Sequence, residues 1–466
     1  MRLANRVRQE QTQVELQRLN GELGAWLEHR RARDQAGQYK TQLDAVEALV
    51  RGALRQLTAA ASALDSGRAQ GEIYEECRLL DMRLVWLRRV WQFFRDKFDQ
   101  RDDPHLAPLL RAADEVVWSC YRQVFVQAEL RRLPIRQGPA PLPFVESQFS
   151  PEAFPAELVP PGLNDVRLGG DFLREHLNRL PIPVVRLPPM CVSSPWMLVY
   201  LGHEVGHHVQ YQLKDNLEAL REVRQAVETA LETQGVAEDE VAAWGRWSTE
   251  IFADVFAVLV MGQWAVRAMA ELELARSQTM LQPRALYPSP LVRLRLLAET
   301  ADRVGLDGSQ VLRQAGLRSD GAAHANPDLA RVQCVVGVVM GTLPGLSVTL
   351  RQLCAFRADD FRAGGAVERW SAALRGRLDR SPEETLRAAR VVASASLAAW
   401  SEIACIEADD VRAAARADLA ERTRELVARS REEGTRGDHP AGVRTDALGA
   451  ELGQLLLAAT PRQLEG

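Results

Sequence analysis

Residues 134–161 read PIRQGPAPLPFVESQFSPEAFPAELVPP, eight prolines in 28 residues. Proline lacks a backbone N–H donor and its ring collides with the preceding helical turn. The tract therefore can be neither a helix nor a central strand. It divides the chain and predicts a linker or an extended wrap, with Phe144, Phe149 and Phe154 holding it against a surface. With 466 residues in all, more than one packed unit is expected on the two sides of it.

Helical periodicity dominates both sides. Residues 9–63 predict two helices. Val14, Leu16, Leu19, Leu23, Trp26 and Leu27 form an apolar stripe, LDAVEALVRGALRQL repeats the pattern, and ARDQAGQ supplies the turn of an αα-hairpin. Such a hairpin either packs on the body or presents a coiled-coil surface to a partner. Residues 72–133 continue as helix, with the aromatics of LVWLRRVWQFF and VVWSCYRQVF assigned to core. Beyond the tract, DFLREHLNRL predicts a short helix and PIPVVRLPP an edge strand fenced by prolines. Helix is expected from 195 to about 315 and again through 365–430, with RSDGAAHANPD and GTRGDHPAG as loops and a last short helix. The fold class is mainly α, with a short edge strand or small sheet.

Composition narrows the function classes. Lys+Arg 58 against Asp+Glu 62 leaves a net charge of -4, which gives no electrostatic footprint for nucleic acid or anionic lipid. The start MRLANRVRQEQTQ has no apolar core of a secretory signal, and the six cysteines are scattered singly without CxxC spacing. Both point to a reducing, cytoplasmic setting. The uncharged run CVVGVVMGTLPGLSVTL is interrupted by Pro344 and three glycines, and predicts a buried core segment with no stable membrane insertion.

Three of the eight histidines fall within GHEVGHH. Ser193 or Ser194 is placed to cap a helix with Pro195 at its first position. On that helix His203 and His207, four residues apart, share one face, and Glu204 stands beside them. Two imidazoles so spaced can bind one Zn²⁺, with Glu204 as general base on a water. In a random chain of this composition the HExxH pattern is expected roughly 0.02 times. His208, about 100° round the helix from His207, is predicted to point away from the metal and serve packing or support a ligand. A third histidine six residues beyond His207 is ruled out, because Leu213 stands there. The remaining ligand is sought in WSTEIFADVFAVLV, where Glu250 and Asp254 share a face. From Ile251 to Met261 the helix is apolar apart from Asp254, so a carboxylate there is costly unless a metal or hydrogen bonds hold it. Glu250 is assigned as the third ligand and Asp254 as acceptor for the second ring N–H of a ligand histidine. The competing reading makes Glu250 an ordinary carboxylate near a helix N-terminus.

HEVGHH followed by EIFAD resembles the gluzincin class of zinc metallopeptidases, whose motif is HExxH with a downstream ExxxD. YPSPLVRL further resembles the HPSxxxRI element of the prenyl-protein endopeptidase and membrane heat-shock peptidase family. That resemblance implies that Arg293 helps organise the site, and it places Tyr287 where the family usually has histidine. It spans about residues 180–300 and implies an edge strand, here PVVRLPP, that pairs with substrate backbone. The expected organisation is then an N-terminal helical region over 1–133, the proline tract over 134–161, a zincin-like metallopeptidase core over 162–315 and a C-terminal helical region over 316–466. The expected activity is zinc-dependent hydrolysis of peptide bonds in a specific intracellular protein. Tyr287, Arg293 and Tyr211 are candidates to steady the oxyanion, and Arg293 has the alternative of a buried structural ion pair. The rival class is a scaffold or effector that keeps a zinc-binding core and acts on a protein partner through its helical arms.

Overall fold

The computed structural model describes residues 2–34, 37–135, 137–147, 152–154, 182–214, 218–317, 326–376, 388–430 and 444–460. The expected helix in DFLREHLNRL, Phe149, most of the RSDGAAHANPD loop and the GTRGDHPAG loop lie outside them. The fold is mainly helical with one small sheet. Its main helices are α1 (Arg2–Arg33), α2 (Lys40–Ser62), α3 (Gln70–Asp99), α4 (Ala107–Leu130), α5 (Leu201–Gln212), α6 (Glu218–Thr233), α7 (Glu238–Met261), α8 (Gln263–Glu273), α9 (Pro290–Arg303), α10 (Val332–Met340), α11 (Ala389–Ile403), α12 (Asp409–Arg429) and α13 (Arg444–Ala458). The strands are β1 (Leu142–Val145), β2 (Glu152–Phe154) and β3 (Val184–Leu187).

The proline tract contributes both outer strands. The order is β1-β3-β2, with β1 parallel and β2 antiparallel to β3. Pro143 is tolerated because β1 lies at an edge. The expectation for PIPVVRLPP is corrected here: β3 is the middle strand. Its main-chain groups are taken on both sides, which removes it as a strand for substrate pairing.

Side-chain alternation along the sheet separates two hydrophobic clusters. Leu142, Phe144 and Val184 join one with Leu16, Leu19, Leu23 and Leu27 of α1, the apolar faces of α2 and α3, and Leu452 and Leu456 of α13. The C-terminal helix thus completes a four-helix bundle with the N-terminal three. Its contact with α2 is so close that a Cβ on Gly52 would fall 2.7 Å from Gly449 Cα. Val185 and Leu187 on the other face join a larger cluster built from α4 through α12. Within it α6 is amphipathic, burying Ala219, Val223, Val227 and Leu231 at helical spacing. The uncharged run beginning at Cys334 does not form one helix. α10 stops at Met340, and an isolated bridge joins Thr342 to Thr349 around a turn containing Pro344. Among the described residues no helix is long and apolar enough to cross a membrane, and all six cysteines are free.

Candidate metal centre

The approach to α5 is tighter than a plain α-helical start. Residues Met190–Ser193 form one turn and Pro195–Tyr200 a 3-10 helix, with Ser194 at its N-cap position but no capping hydrogen bond from its side chain. The Ser194 hydroxyl instead accepts from Arg416 at 3.2 Å. Arg416 of α12 also lies over both Trp196 and Trp400, whose rings stack at 4.6 Å, and Arg424 donates to the Val192 carbonyl. The expected serine cap is therefore replaced by a clamp from α12.

α5 then crosses α7 in antiparallel sense, and the two glycines of GHEVGHH set the distance. A Cβ on Gly206 would lie 2.9 Å from Ala253 Cα, and one on Gly202 would lie 2.8 Å from Met261 Cγ. Small residues on both helices bring the backbones close enough for side chains one residue away to meet. His203 and His207, on successive turns, have Nε2 atoms 3.1 Å apart and rings at 90°. Glu250 Oε2 lies 3.2 Å from His203 Nε2 and 3.5 Å from His207 Nε2. Neither contact has hydrogen-bond geometry, so among the described residues Glu250 Oε2 is a buried acceptor without a donor.

The assigned partners of these three residues fall into place around them. Asp254 Oδ1 is 2.8 Å from His203 Nδ1, which assigns the ring proton to Nδ1 and turns Nε2 towards Glu250. Arg293 donates from Nε and Nη2 to Asp254 at 2.8 and 2.9 Å, and from Nη1 to Glu273 at 2.9 Å. It is a buried ion-pair residue that holds Asp254 against His203 and itself lies close to the ring, with Nη2 3.4 Å from His203 Nε2. Tyr287, half-buried, has both the Arg284 and the Arg293 guanidinium 5.0 Å from its ring centroid. Tyr211 lies one turn beyond His207 on the same stripe and is half-buried. His208 is buried beside the Val184 backbone, and among the described residues neither ring nitrogen makes a hydrogen bond of good geometry. Of the sequence-derived set, His203, Glu204, His207, Glu250, Asp254, Tyr287 and Arg293 are brought together.

No family model matches the chain, and comparison with curated proteins and with solved structures finds no match either. The donor set itself indicates whether a metal fits. For Zn–N distances of about 2.0–2.1 Å a tetrahedral site spaces its ligand atoms roughly 3.3–3.4 Å apart. The three observed separations bracket that value, and all three candidate ligand atoms lie within 4.8 Å of one another. Two imidazole nitrogens and one carboxylate oxygen form a donor set suited to zinc. The orphaned Glu250 oxygen gains a partner if an ion sits there. The residues fit the group.

Electrostatics separates the roles. Burial pushes the Glu204 carboxyl up, against the pull of His203 and His207. For Glu250 burial acts in the same sense, but the two imidazoles overcome it and hold the carboxyl well below its usual range. Burial works to lower His203, but the Asp254 carboxylate at 2.8 Å, with the Glu250 carboxylate beside Nε2, outweighs it and raises His203 to about 10. Burial, then the charge of Glu250, raises the Tyr287 phenol, so it remains an O–H donor. The cluster opens towards solvent at His207 and Glu250, whose side chains are 12% and 13% exposed against 2% for Asp254. The sequence reading missed Gly202, Gly206 and Glu273. Small residues four apart were a usable signal for the first two; Glu273, on a separate helix, carried none.

Proposed function

We propose that the chain is a zinc-dependent endopeptidase with a zincin-like core, in which His203, His207 and Glu250 are the metal ligands and Glu204 is the general base. The observation that carries this reading is the spacing of the three donor atoms, 3.1, 3.2 and 3.5 Å, beside a buried carboxylate one residue along α5. A zinc ion held there supplies Lewis acidity and makes water a nucleophile at neutral pH.

The residues around it divide the remaining work. A Glu204 carboxylate oxygen takes the proton of the water adding to the scissile carbonyl carbon and returns it to the departing amide nitrogen. Its raised proton affinity favours a base that must also act as acid near neutrality. Asp254 keeps one His203 proton on Nδ1, so that Nε2 is the atom that gives up its proton and ligates. Arg293 orients Asp254 with two donors and is itself committed to carboxylates, so its role is positioning and not oxyanion binding. Tyr287 is the donor best suited to steady the developing oxyanion. The helical bundle and the C-terminal helices support a specific protein substrate, met in the cytoplasm, over unselective turnover.

The test compares wild type with Glu204→Gln on a proteome-derived peptide library. Wild type cleaves, and the variant keeps its zinc while losing activity by ~10²-fold or more. Equal cleavage by the two would sink the role of Glu204.

A further inference from the structure

We propose that Glu273 is a positioning residue for the metal centre. Its carboxylate tethers Arg293 and offsets its charge, so that a dication can sit against His203 Nε2. This rests on the reading of His203, His207 and Glu250 as zinc ligands.

Arg293 Nη2 lies 3.4 Å from His203 Nε2, the ring atom that faces Glu250. A guanidinium that close repels a metal ion in a buried site, where water screens little. Two features contain it. Asp254 holds Nε and Nη2, and Glu273 holds Nη1 at 2.9 Å from the far side. Two carboxylates on one guanidinium leave the buried trio of Asp254, Arg293 and Glu273 with a net negative charge, so the guanidinium's repulsion of the metal is offset. The second cation near Glu273, Arg284, meets its other oxygen from a position 50% exposed, where solvent weakens its field.

The placement of Glu273 costs the fold something. It is 8% exposed and is the last residue of α8, where the helix dipole disfavours an acid. A residue serving stability alone gains little from that position, whereas a charge directed at Arg293 needs it. The chain Glu273, Arg293, Asp254, His203 thus runs from the 274–289 connection to the metal.

Zinc affinity of the full-length protein, measured by competition with a chromophoric chelator, decides the matter. Glu273→Gln keeps an acceptor of the same size but removes the charge, and it weakens zinc binding by about 10–100-fold. Glu271→Gln, two residues earlier on the same helix, leaves the affinity unchanged. Arg284→Gln, at a half-exposed position, takes the competing cation from Glu273 and leaves zinc binding equal or tighter. A role limited to anchoring the connection predicts the opposite, weaker binding in Arg284→Gln. Glu273→Gln within about twofold of wild type, or weakened binding in Arg284→Gln, overturns the proposal. The Arg284 variant keeps the test open if Glu273→Gln does not fold. Wild-type protein that takes up no zinc removes the metal reading itself, and this inference with it.

Discussion

His203 and His208 are both buried on α5, yet their proton affinities move in opposite directions. His203 is raised to about 10 from 6.5 by the Asp254 and Glu250 carboxylates acting against desolvation. Its pairing therefore stabilises the metal-free fold fully below pH 6.5, and that contribution is lost as pH rises through about 10. Zinc must displace this proton. At pH 7, calorimetry in buffers of different ionisation enthalpy is expected to show about one proton released per ion bound. Binding with no proton release contradicts the His203 assignment. His208 is lowered to about 3 by burial and then by His207. The unfolded chain takes up its proton first, so stability falls as pH drops from 6.5 towards 3, by up to about 1.4 kcal/mol per pH unit. Replacing His208 with Leu flattens that part of the pH–stability curve, and an unchanged slope would show that His208 does not titrate this way. The distinction between these histidines was legible, because i,i+4 spacing assigns His203 and His207 to one face and turns His208 off it. Glu250 was legible too, as a carboxylate at the start of an apolar helical run. Glu273 was not, since only the folded chain brings α8 against α9.

At the scale of elements, the centre depends on how closely α5 and α7 approach. The HExxH pattern names residues on α5, but the distance to Glu250 is set by Gly206 on Ala253. Gly206→Ala is expected to destabilise the protein by about 1–3 kcal/mol, because its Cβ meets backbone and not a side chain that can turn aside. It also lifts His207 from Glu250 and lowers zinc content. Gly21→Ala on α1 is the contrast. Nothing lies within 4 Å of its added Cβ, and exchanging a mid-helix glycine there stabilises by about 0.5–1 kcal/mol. Thermal melts of the two variants moving in the same direction would refute the packing argument. The start of α5 was less legible. Serine and proline before a helix suggest a cap, whereas here the turn is 3-10 and Arg416, from a helix far along the chain, takes the Ser194 hydroxyl.

At the scale of the molecule, the helices were readable from their periodicity and so was the strand in PIPVVRLPP, but its two partner strands were not. LPFV and EAF lie in a tract whose prolines suggest a wrap, and only the long-range pairing with β3 makes them strands. That pairing put β3 in the middle, where local sequence placed it at an edge. The bundle joining α13 to α1, α2 and α3 was equally hidden, because its contact depends on Gly52 meeting Gly449. Gly52→Val is expected to lower the melting temperature by disturbing this bundle while zinc stoichiometry stays at that of wild type. Loss of zinc in that variant would mean that the two hydrophobic clusters do not act separately.

The most direct test is metal analysis of the purified protein beside His203→Ala, His207→Ala, Glu250→Ala and His208→Gln. About one zinc per chain is expected in wild type and in His208→Gln. Tightly held zinc is expected to be lost in the other three. Stoichiometric zinc that survives in His203→Ala, or wild-type protein that takes up none, would contradict the assignment of His203, His207 and Glu250 as ligands.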